Sequence, residues 1–199
     1  MKNLILISVL LFFSFSIYSQ SEKSLARVQK IKGKEIYIYC EPVREYEVVE
    51  KVTSFVSQLT AGLSDEQPSI DNMIKEMVDK SIDREIKNKI GKFDAILTTD
   101  GESAVLIKFK AGNDDNKGLG NVQRIQGKYI FLYCDPINEF DNTGQITSAI
   151  SQLFGTNSIS NMVKEMIDKA IKKEIKNKVK PFDGIITSDG TNGVLIKFK

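Results

Sequence analysis

Residues 105–110, VLIKFK, recur letter for letter at residues 194–199. Working outward from this hexapeptide, residues 72–110 align without gaps on residues 161–199, and 25 of the 39 positions are identical. A repeat on this scale shows that one unit of sequence is present twice, and the fold has to be interpreted with that repeat in mind.

The repeat continues upstream, because residues 28–45 match residues 122–139. Between the two copies lies a polar, glycine-bearing segment of the kind that links structural units. We therefore predict a tandem duplication with module 1 at 20–110, a linker at 111–118 and module 2 at 119–199.

Each module opens with a strand pattern, IYIYC at 36–40 and IFLYC at 130–134. Apolar, aromatic and β-branched residues favour a strand, and alternate side chains of a regular strand share one face. The expected faces are Ile36, Ile38 and Cys40 against Tyr37 and Tyr39, and Ile130, Leu132 and Cys134 against Phe131 and Tyr133.

A second strand and a helix follow in each module. Residues 46–59 and 140–153 predict the strand, with a helix over 53–59 as the alternative. From Ile70 to Ile90 apolar residues recur at the three-four spacing of an amphipathic helix. The second copy repeats this spacing and thus predicts a second helix.

Each copy closes with a β-hairpin pattern. Residues 93–99 and 103–109 flank Asp100-Gly101, and Asp189-Gly190 stands at the matching place in the second copy. Asp-Gly suits the tight turns that join antiparallel strands. The sequence thus predicts an α+β fold, a tandem duplication of a β-β-α-β-β module with one helix packed on a small, mostly antiparallel sheet in each copy.

One helix can cover only one face of its sheet, yet both predicted faces carry apolar groups. Val105, Ile107 and Phe109 fall on one face and Leu106 on the other. An uncovered apolar face of this size calls for a partner. We predict that the modules pack there, or that the face drives homo-oligomerisation; the predicted module-interface or binding residues are Tyr37, Tyr39, Phe131, Tyr133, Leu106 and Leu195.

The first residues predict export. Lys2 precedes an apolar run at 4–17, and the small Ser19 stands before a polar stretch, which is typical of a secretory signal peptide. We predict a signal peptide at 1–19, cut after Ser19, and a secreted or periplasmic location. An uncleaved anchor is the alternative, although the run is shorter than the roughly 20 residues that span a bilayer. After cleavage we expect no transmembrane segment.

The composition argues against several function classes. Without Lys2, the only charge of the predicted signal, the chain has 27 basic and 26 acidic residues, which gives no general attraction to nucleic acid or to an anionic membrane. Histidine, the commonest general base and metal ligand, is absent. We therefore predict no cofactor, no metal ligand and no catalytic residue, and expect Asp94 and Asp183 to serve turns rather than acid–base chemistry.

The two cysteines, Cys40 and Cys134, occupy the same position in the two copies. They align with residues expected in the core, and a buried cysteine behaves as a small apolar residue. A disulfide between the modules is the alternative in an oxidising compartment. Redox or metal chemistry is a third reading, which no neighbouring histidine supports.

A run of lysines marks the end of the second predicted helix. Lys172, Lys173, Lys176 and Lys180 form a candidate contact for an anionic surface. The alternative is a solvated helix face, with cations placed favourably near the negative end of the helix dipole.

The string CEPVREYEVV at 40–49, followed by a helix and by FDAI at 93–96, resembles small bacterial envelope domains. They include the family labelled heavy-metal-binding domain and the domain of the Rcs stress-sensor lipoprotein. The resemblance implies a fold and an envelope setting. It carries over neither metal ligands nor stress signalling, because histidine and an anchoring cysteine are missing, and the second copy lacks the YEVV run.

These observations favour an exported, non-catalytic binding or accessory protein of the bacterial cell envelope, with an envelope protein as candidate partner. One alternative is an enzyme of an unrecognised kind that uses carboxylate or lysine side chains. Another is a scaffold or immunity-like protein dedicated to a single partner.

Overall fold

The computed structural model of the chain has an α+β fold, as predicted. The described residues are 22–52, 70–98, 103–112, 114–147 and 159–199. The predicted signal peptide at 1–19, the alternative helix at 53–59 and the Asp100-Gly101 turn lie outside the described residues.

The first half contains seven described strands and one described helix. They are β1 Leu25–Val28, β2 Lys30–Ile31, β3 Lys34–Ile38, β4 Cys40–Pro42, β5 Tyr46–Val52, α1 Ile70–Ile86, β6 Ala95–Thr98 and β7 Ala104–Phe109. One-turn 3-10 helices at Glu22–Ser24 and Asp114–Asn116 precede the two halves.

The second half repeats this order. Its elements are β8 Leu119–Val122, β9 Arg124–Ile125, β10 Lys128–Leu132, β11 Cys134–Pro136, β12 Phe140–Thr147, α2 Ile159–Ile175, β13 Gly184–Thr187 and β14 Asn192–Phe198. The predicted helices and the hairpin strands are confirmed, and the described parts of the predicted second strands are β5 and β12.

A ten-stranded mixed sheet runs through both halves in the order β12-β14-β13-β10-β3-β6-β7-β5, with β2 on β3 and β9 on β10. The halves join where β3 meets β10 antiparallel, with Ile38 opposite Leu132. Within each half one contact is parallel, β3 with β6 and β10 with β13. The predicted separate small sheets are therefore merged into one.

A second, four-stranded sheet interleaves the two halves in the order β11-β1-β8-β4. β1 of the first half lies between β8 and β11 of the second, and β8 pairs with β4 of the first. Because its strands alternate between the halves, neither half can form this sheet alone.

The two sheets and the helices make three layers. One core cluster lies between the helices and the large sheet and contains Ile74, Val78, Val163 and Ile167. The other lies between the two sheets and contains Tyr37, Ile107 and Phe131 with the β1 residues Ala26 and Val28. The second apolar face is thus covered within the chain, by the interleaved sheet.

The predicted alternation along β3 is wrong at its end. Ile36 and Ile38 face the helices and Tyr37 faces the small sheet, but Tyr39 belongs to the helix side and Cys40 to the small-sheet side. The reason is the positive φ of Tyr39, 51°, which turns the chain from one sheet into the other. Tyr133, with a φ of 59°, does the same in the second half.

Candidate functional site

A buried carboxylate sits near the start of β3. Strand alternation directs Glu35 and Tyr37 to the same side, toward the small sheet, and Glu35 is only 3% exposed. Its Oε2 accepts hydrogen bonds from the Tyr37 hydroxyl at 2.7 Å and from Arg44 Nη2 at 2.7 Å. Its Oε1 lies 3.4 Å from Lys30 Nζ. A buried charge of this kind has to be paired, and here two cations pair it.

The Arg44 guanidinium is held on two sides. It lies over the Phe109 ring, 3.6 Å from the centroid, and donates to Glu35. Its Nε is buried without a hydrogen-bond partner in the described part of the chain. Stacking on an aromatic face and pairing with a carboxylate fix the plane of the guanidinium and leave one donor unsatisfied.

We call Glu35, Tyr37, Arg44, Lys30 and Phe109 the polar corner. It borders a depression of about 430 Å³ whose other charged lining residues are Lys110, Lys117 and Asp94. Four cations and two carboxylates therefore surround this depression.

Both carboxylates of the depression are already engaged. Glu35 accepts the bonds just described, and Asp94 Oδ2 accepts the backbone N–H of Phe109 at 2.9 Å. Asp183 accepts the N–H of Phe198 at 3.0 Å in the same way. In both cases the N–H group lies 15 residues further along the chain, so the bond joins two strands rather than closing a turn, and a structural rather than an acid–base role stays a prediction.

Tyr37 acts in this network as a donor. Burial, followed by the hydrogen bond to the Glu35 carboxylate, raises the pKa of the Tyr37 hydroxyl far above its ordinary value. The hydroxyl therefore keeps its proton, and its chemistry here is to hold Glu35 in place.

The matching place in the second half is built of rings, and we call it the aromatic corner. Its residues, in the order used for the polar corner, are Tyr129, Phe131, Asn138, Arg124 and Phe198. The ring centroids of Tyr129 and Phe131 lie 5.8 and 6.1 Å from that of Phe198, at edge-to-face angles. Arg124 stacks on Tyr129 at 4.2 Å and donates to its hydroxyl. No carboxylate takes the place of Glu35.

Sequence analysis missed Glu35, Arg44 and Lys30. The signal that identifies them is a difference between the copies, because Glu35 aligns with Tyr129 and Arg44 with Asn138 in segments that otherwise match. An alignment read only for identity passes over these positions.

The predicted interface residues fall into two groups. Tyr37 and Phe131 lie between the sheets, where the interleaved strands cover them. Tyr39, Tyr133, Leu106 and Leu195 lie in the helix-side core instead, so a single face formed by all six is wrong. The positive φ of Tyr39 and Tyr133 turns the chain, so that both side chains lie on the helix side. Leu106 and Leu195 lie on the helix-facing side of β7 and β14, whereas Tyr37 and Phe131 face the small sheet.

Tyr133 nevertheless connects the halves. Its hydroxyl donates to Asp71 at the start of α1, in the other half of the chain. Burial, then this hydrogen bond, raises the pKa of Tyr133 well above its ordinary value. The pKa of Asp71 is lowered by Lys75 first and by Tyr133 second.

Cys40 and Cys134 are free, buried thiols in the core between the sheets. The hydrogen bond with the Cys40 thiol, followed by burial, raises the pKa of Cys134 well above its ordinary value. A thiol that stays protonated is a weak nucleophile. Their place in this core fits a packing role. The two thiols lie next to each other, but no disulfide joins them in this structure.

The lysines predicted to meet an anionic surface lie at the end of α2. Lys172, Lys173, Lys176 and Lys178 line a shallow depression of about 500 Å³ together with Lys169 and the acids Glu165 and Asp168. Lys180 is exposed just beyond it. We call Lys172, Lys173, Lys176, Lys178 and Lys180 the lysine surface.

The described residues also bear on metal ions and on membranes. No group of three or more His, Cys, Asp and Glu side chains is arranged there to hold a metal ion. Neither α1 nor α2 combines the length and apolar character needed to cross a bilayer.

Comparison of the chain with protein-family models, with curated proteins and with solved structures gave no match. The resemblance to the heavy-metal-binding-domain family and to the Rcs stress-sensor domain stays a prediction that rests on the residues quoted above.

Proposed function

We propose that the chain is an exported, non-catalytic binding protein of the bacterial cell envelope, and that the depression at the polar corner holds a small anionic group. One observation carries the proposal: a buried Glu35–Arg44 pair borders a cation-lined depression at a place where the second half packs aromatic rings.

Stability alone gives little reason for the pair. Removing two charges from water costs free energy that their attraction often fails to recover, and apolar replacements of buried pairs are often neutral or stabilising. The aromatic corner is such a replacement, at the equivalent place of the same fold. A charged network maintained without a stability gain favours a role in binding.

The charge around the depression favours an anion. Four cations and two carboxylates line the depression, so its lining carries a net positive charge. Arg44 and Lys30 already pair with Glu35, and Lys110 pairs with the exposed Glu45. Arg44 is already oriented by Phe109 and Glu35, which reduces the ordering cost of binding. A carboxylate or a phosphate is the group that such a cation cluster recognises.

The test is a titration of the exported, purified protein with inorganic phosphate and with acetate, followed by backbone amide NMR shifts. We expect saturable shifts near Arg44 and Lys117 for at least one probe. The double variant Glu35→Tyr and Arg44→Asn, which installs the residues of the second half, is expected to lose saturation while its spectrum stays folded.

The matched control removes two cations that do not line this depression, by Lys178→Gln and Lys180→Gln, and is expected to bind as the wild type does. Unsaturable shifts with both probes, or an unchanged affinity of the double variant, would overturn the proposal.

The alternatives stay hypotheses. An enzyme using carboxylates would need one free to exchange a proton, whereas both carboxylates of the depression accept structural hydrogen bonds. A role with one dedicated partner protein would show as a stoichiometric complex. We further propose that both halves derive from one duplicated unit, which their residue identity supports, and that the β-β-α-β-β order is the part of it formed by β3, β5, α1, β6 and β7 in the first half.

A further inference from the structure

We propose that the lysine surface at the end of α2 docks on a bilayer rich in anionic phospholipid. The inference concerns a different surface from the polar corner. It shares with the proposed function only the premise of export, which would bring the chain next to such a bilayer.

The first half provides the reference. At the end of α1, Lys87 pairs with Asp83 at 2.7 Å and Arg84 pairs with Glu50. Lys34 also holds Glu85 at 2.8 Å. Two cations at this helix end, Arg84 and Lys87, are therefore each balanced by an acid of the same half.

In the second half the acids at two of these places have changed. Lys172 stands where the first half has Asp83, and Gly144 stands where β5 has Glu50. Among the described residues, Lys172, Lys173, Lys176 and Lys178 make no ion pair. Glu165 and Asp168 are the acids that line the depression, and Asp168 already accepts a bond from Gln126 at 2.6 Å. The lysine surface keeps a net positive charge.

An apolar tip accompanies the charge. Ile175 is 73% exposed among the lysines of α2, and Ile86 of α1 is also 73% exposed. The two helix ends thus share an exposed isoleucine and differ in charge. Because the difference is electrostatic, the two ends can serve as test surface and control within one molecule.

A bilayer fits this surface better than a single-stranded nucleic acid or a deep ligand site. The depression is shallow, and the lysine surface includes no aromatic residue on which a base could stack. Flexible lysine side chains reach anionic headgroups, each adding to the attraction, while an exposed isoleucine can enter the interface.

The experiment is sedimentation of the exported protein with vesicles of phosphatidylglycerol and phosphatidylethanolamine, against vesicles of phosphatidylcholine alone. We expect binding to the anionic vesicles only, weakened by salt. The variant Lys172→Gln, Lys176→Gln, Lys178→Gln is expected to lower the partition coefficient on the order of 100-fold, since each lysine contributes about fivefold.

The control is the variant Arg84→Gln, Lys87→Gln, Lys89→Gln at the end of α1, which is expected to keep binding within about twofold. Ile175→Ser should weaken binding and Ile86→Ser should not. Equal losses from the two triple variants, or equal binding to neutral vesicles, would overturn the inference. Tighter binding to charge-matched polyglutamate in solution than to the anionic vesicles would also overturn it, in favour of an acidic protein partner.

Discussion

The polar and aromatic corners occupy the same place in the two halves and solve its packing differently. In the first half Glu35 and Arg44 are buried as an ion pair, and in the second Tyr129, Phe131 and Phe198 pack edge to face. The shared neighbourhood shows that the backbone accepts both solutions. From this difference we infer that the fold does not require a charged pair at this place.

The largest change in stability is expected from removing one charge of the Glu35–Arg44 pair. Glu35→Ala leaves Arg44 buried without its carboxylate, and we expect the free energy of unfolding to fall by about 3–5 kcal/mol. Made together with Tyr37→Phe, which removes the hydroxyl that Glu35 accepts, the double change Glu35→Tyr and Arg44→Asn removes both charges and is expected to alter it by no more than about 1 kcal/mol. Urea unfolding followed by circular dichroism measures both.

The two variants are informative as a pair. Similar large losses in the single and the combined variant would mean that the pair is needed for folding, and the corners would no longer be interchangeable solutions.

Both halves also share a partly buried lysine contact, which allows their stabilities to be compared at a place where the geometry is the same. Lys34 donates to Glu85 and to the Phe93 carbonyl over the Phe93 ring, and Lys128 does the same with Glu174 and Phe182. Lys34→Met and Lys128→Met should each cost about 1–3 kcal/mol, because each leaves a carboxylate and a carbonyl without their charged donor.

The exposed pair of Lys110 and Glu45 is the control for these variants, and Lys110→Met is expected to cost under about 0.5 kcal/mol. Costs of Lys34→Met and Lys128→Met that differ by more than about 1 kcal/mol would show that equal geometry does not mean equal stability in the two halves.

The smallest expected effect comes from Tyr46→Phe, which gives the first half the residue of the second. The Tyr46 hydroxyl donates to Glu41 Oε1 at 2.5 Å, and this bond, before burial, raises the pKa of Tyr46 to about 12. The loss should not exceed about 1 kcal/mol.

The effect of Tyr46 should depend on pH with a definite sign. The pKa of Tyr46 is higher in the folded than in the unfolded state, so its hydroxyl contributes fully to stability below the unfolded pKa of about 10. That contribution is lost as the pH rises through the folded pKa of about 12. The difference in unfolding free energy between wild type and Tyr46→Phe should be constant from about pH 7 to 9 and shrink above about 10. A difference that persists to about pH 12 would mean that the hydroxyl is not the cause.

Local patterns predicted the elements of the fold well. The spacing of Met77, Val78 and Ile74 in α1, and the alternation in β7, depend on neighbours in sequence and directly indicate helix and strand. The repeat also indicated that each element occurs twice.

These local patterns did not predict how the two halves join. The end of β3 at Ile38 depends on one backbone angle, the positive φ of Tyr39, and a tyrosine gives no local signal for a positive φ. The short strands β1 and β8 pair only with distant segments, so nothing nearby in sequence reveals them. The polar corner was missed because Glu35 precedes the strand predicted at 36–40, and its role is visible only from its contacts with Arg44 and Lys30.

The interleaved sheet has a consequence for how the chain is made. β1 is the first described strand to leave the ribosome, yet Leu25 pairs with Asn121, 96 residues later. Until the second half is synthesised, β1 lacks both of its neighbours and Tyr37 lacks its cover. A product that stops within residues 111–118 would carry an unpaired strand and an open apolar face, the features that lead nascent chains to aggregation or to chaperones.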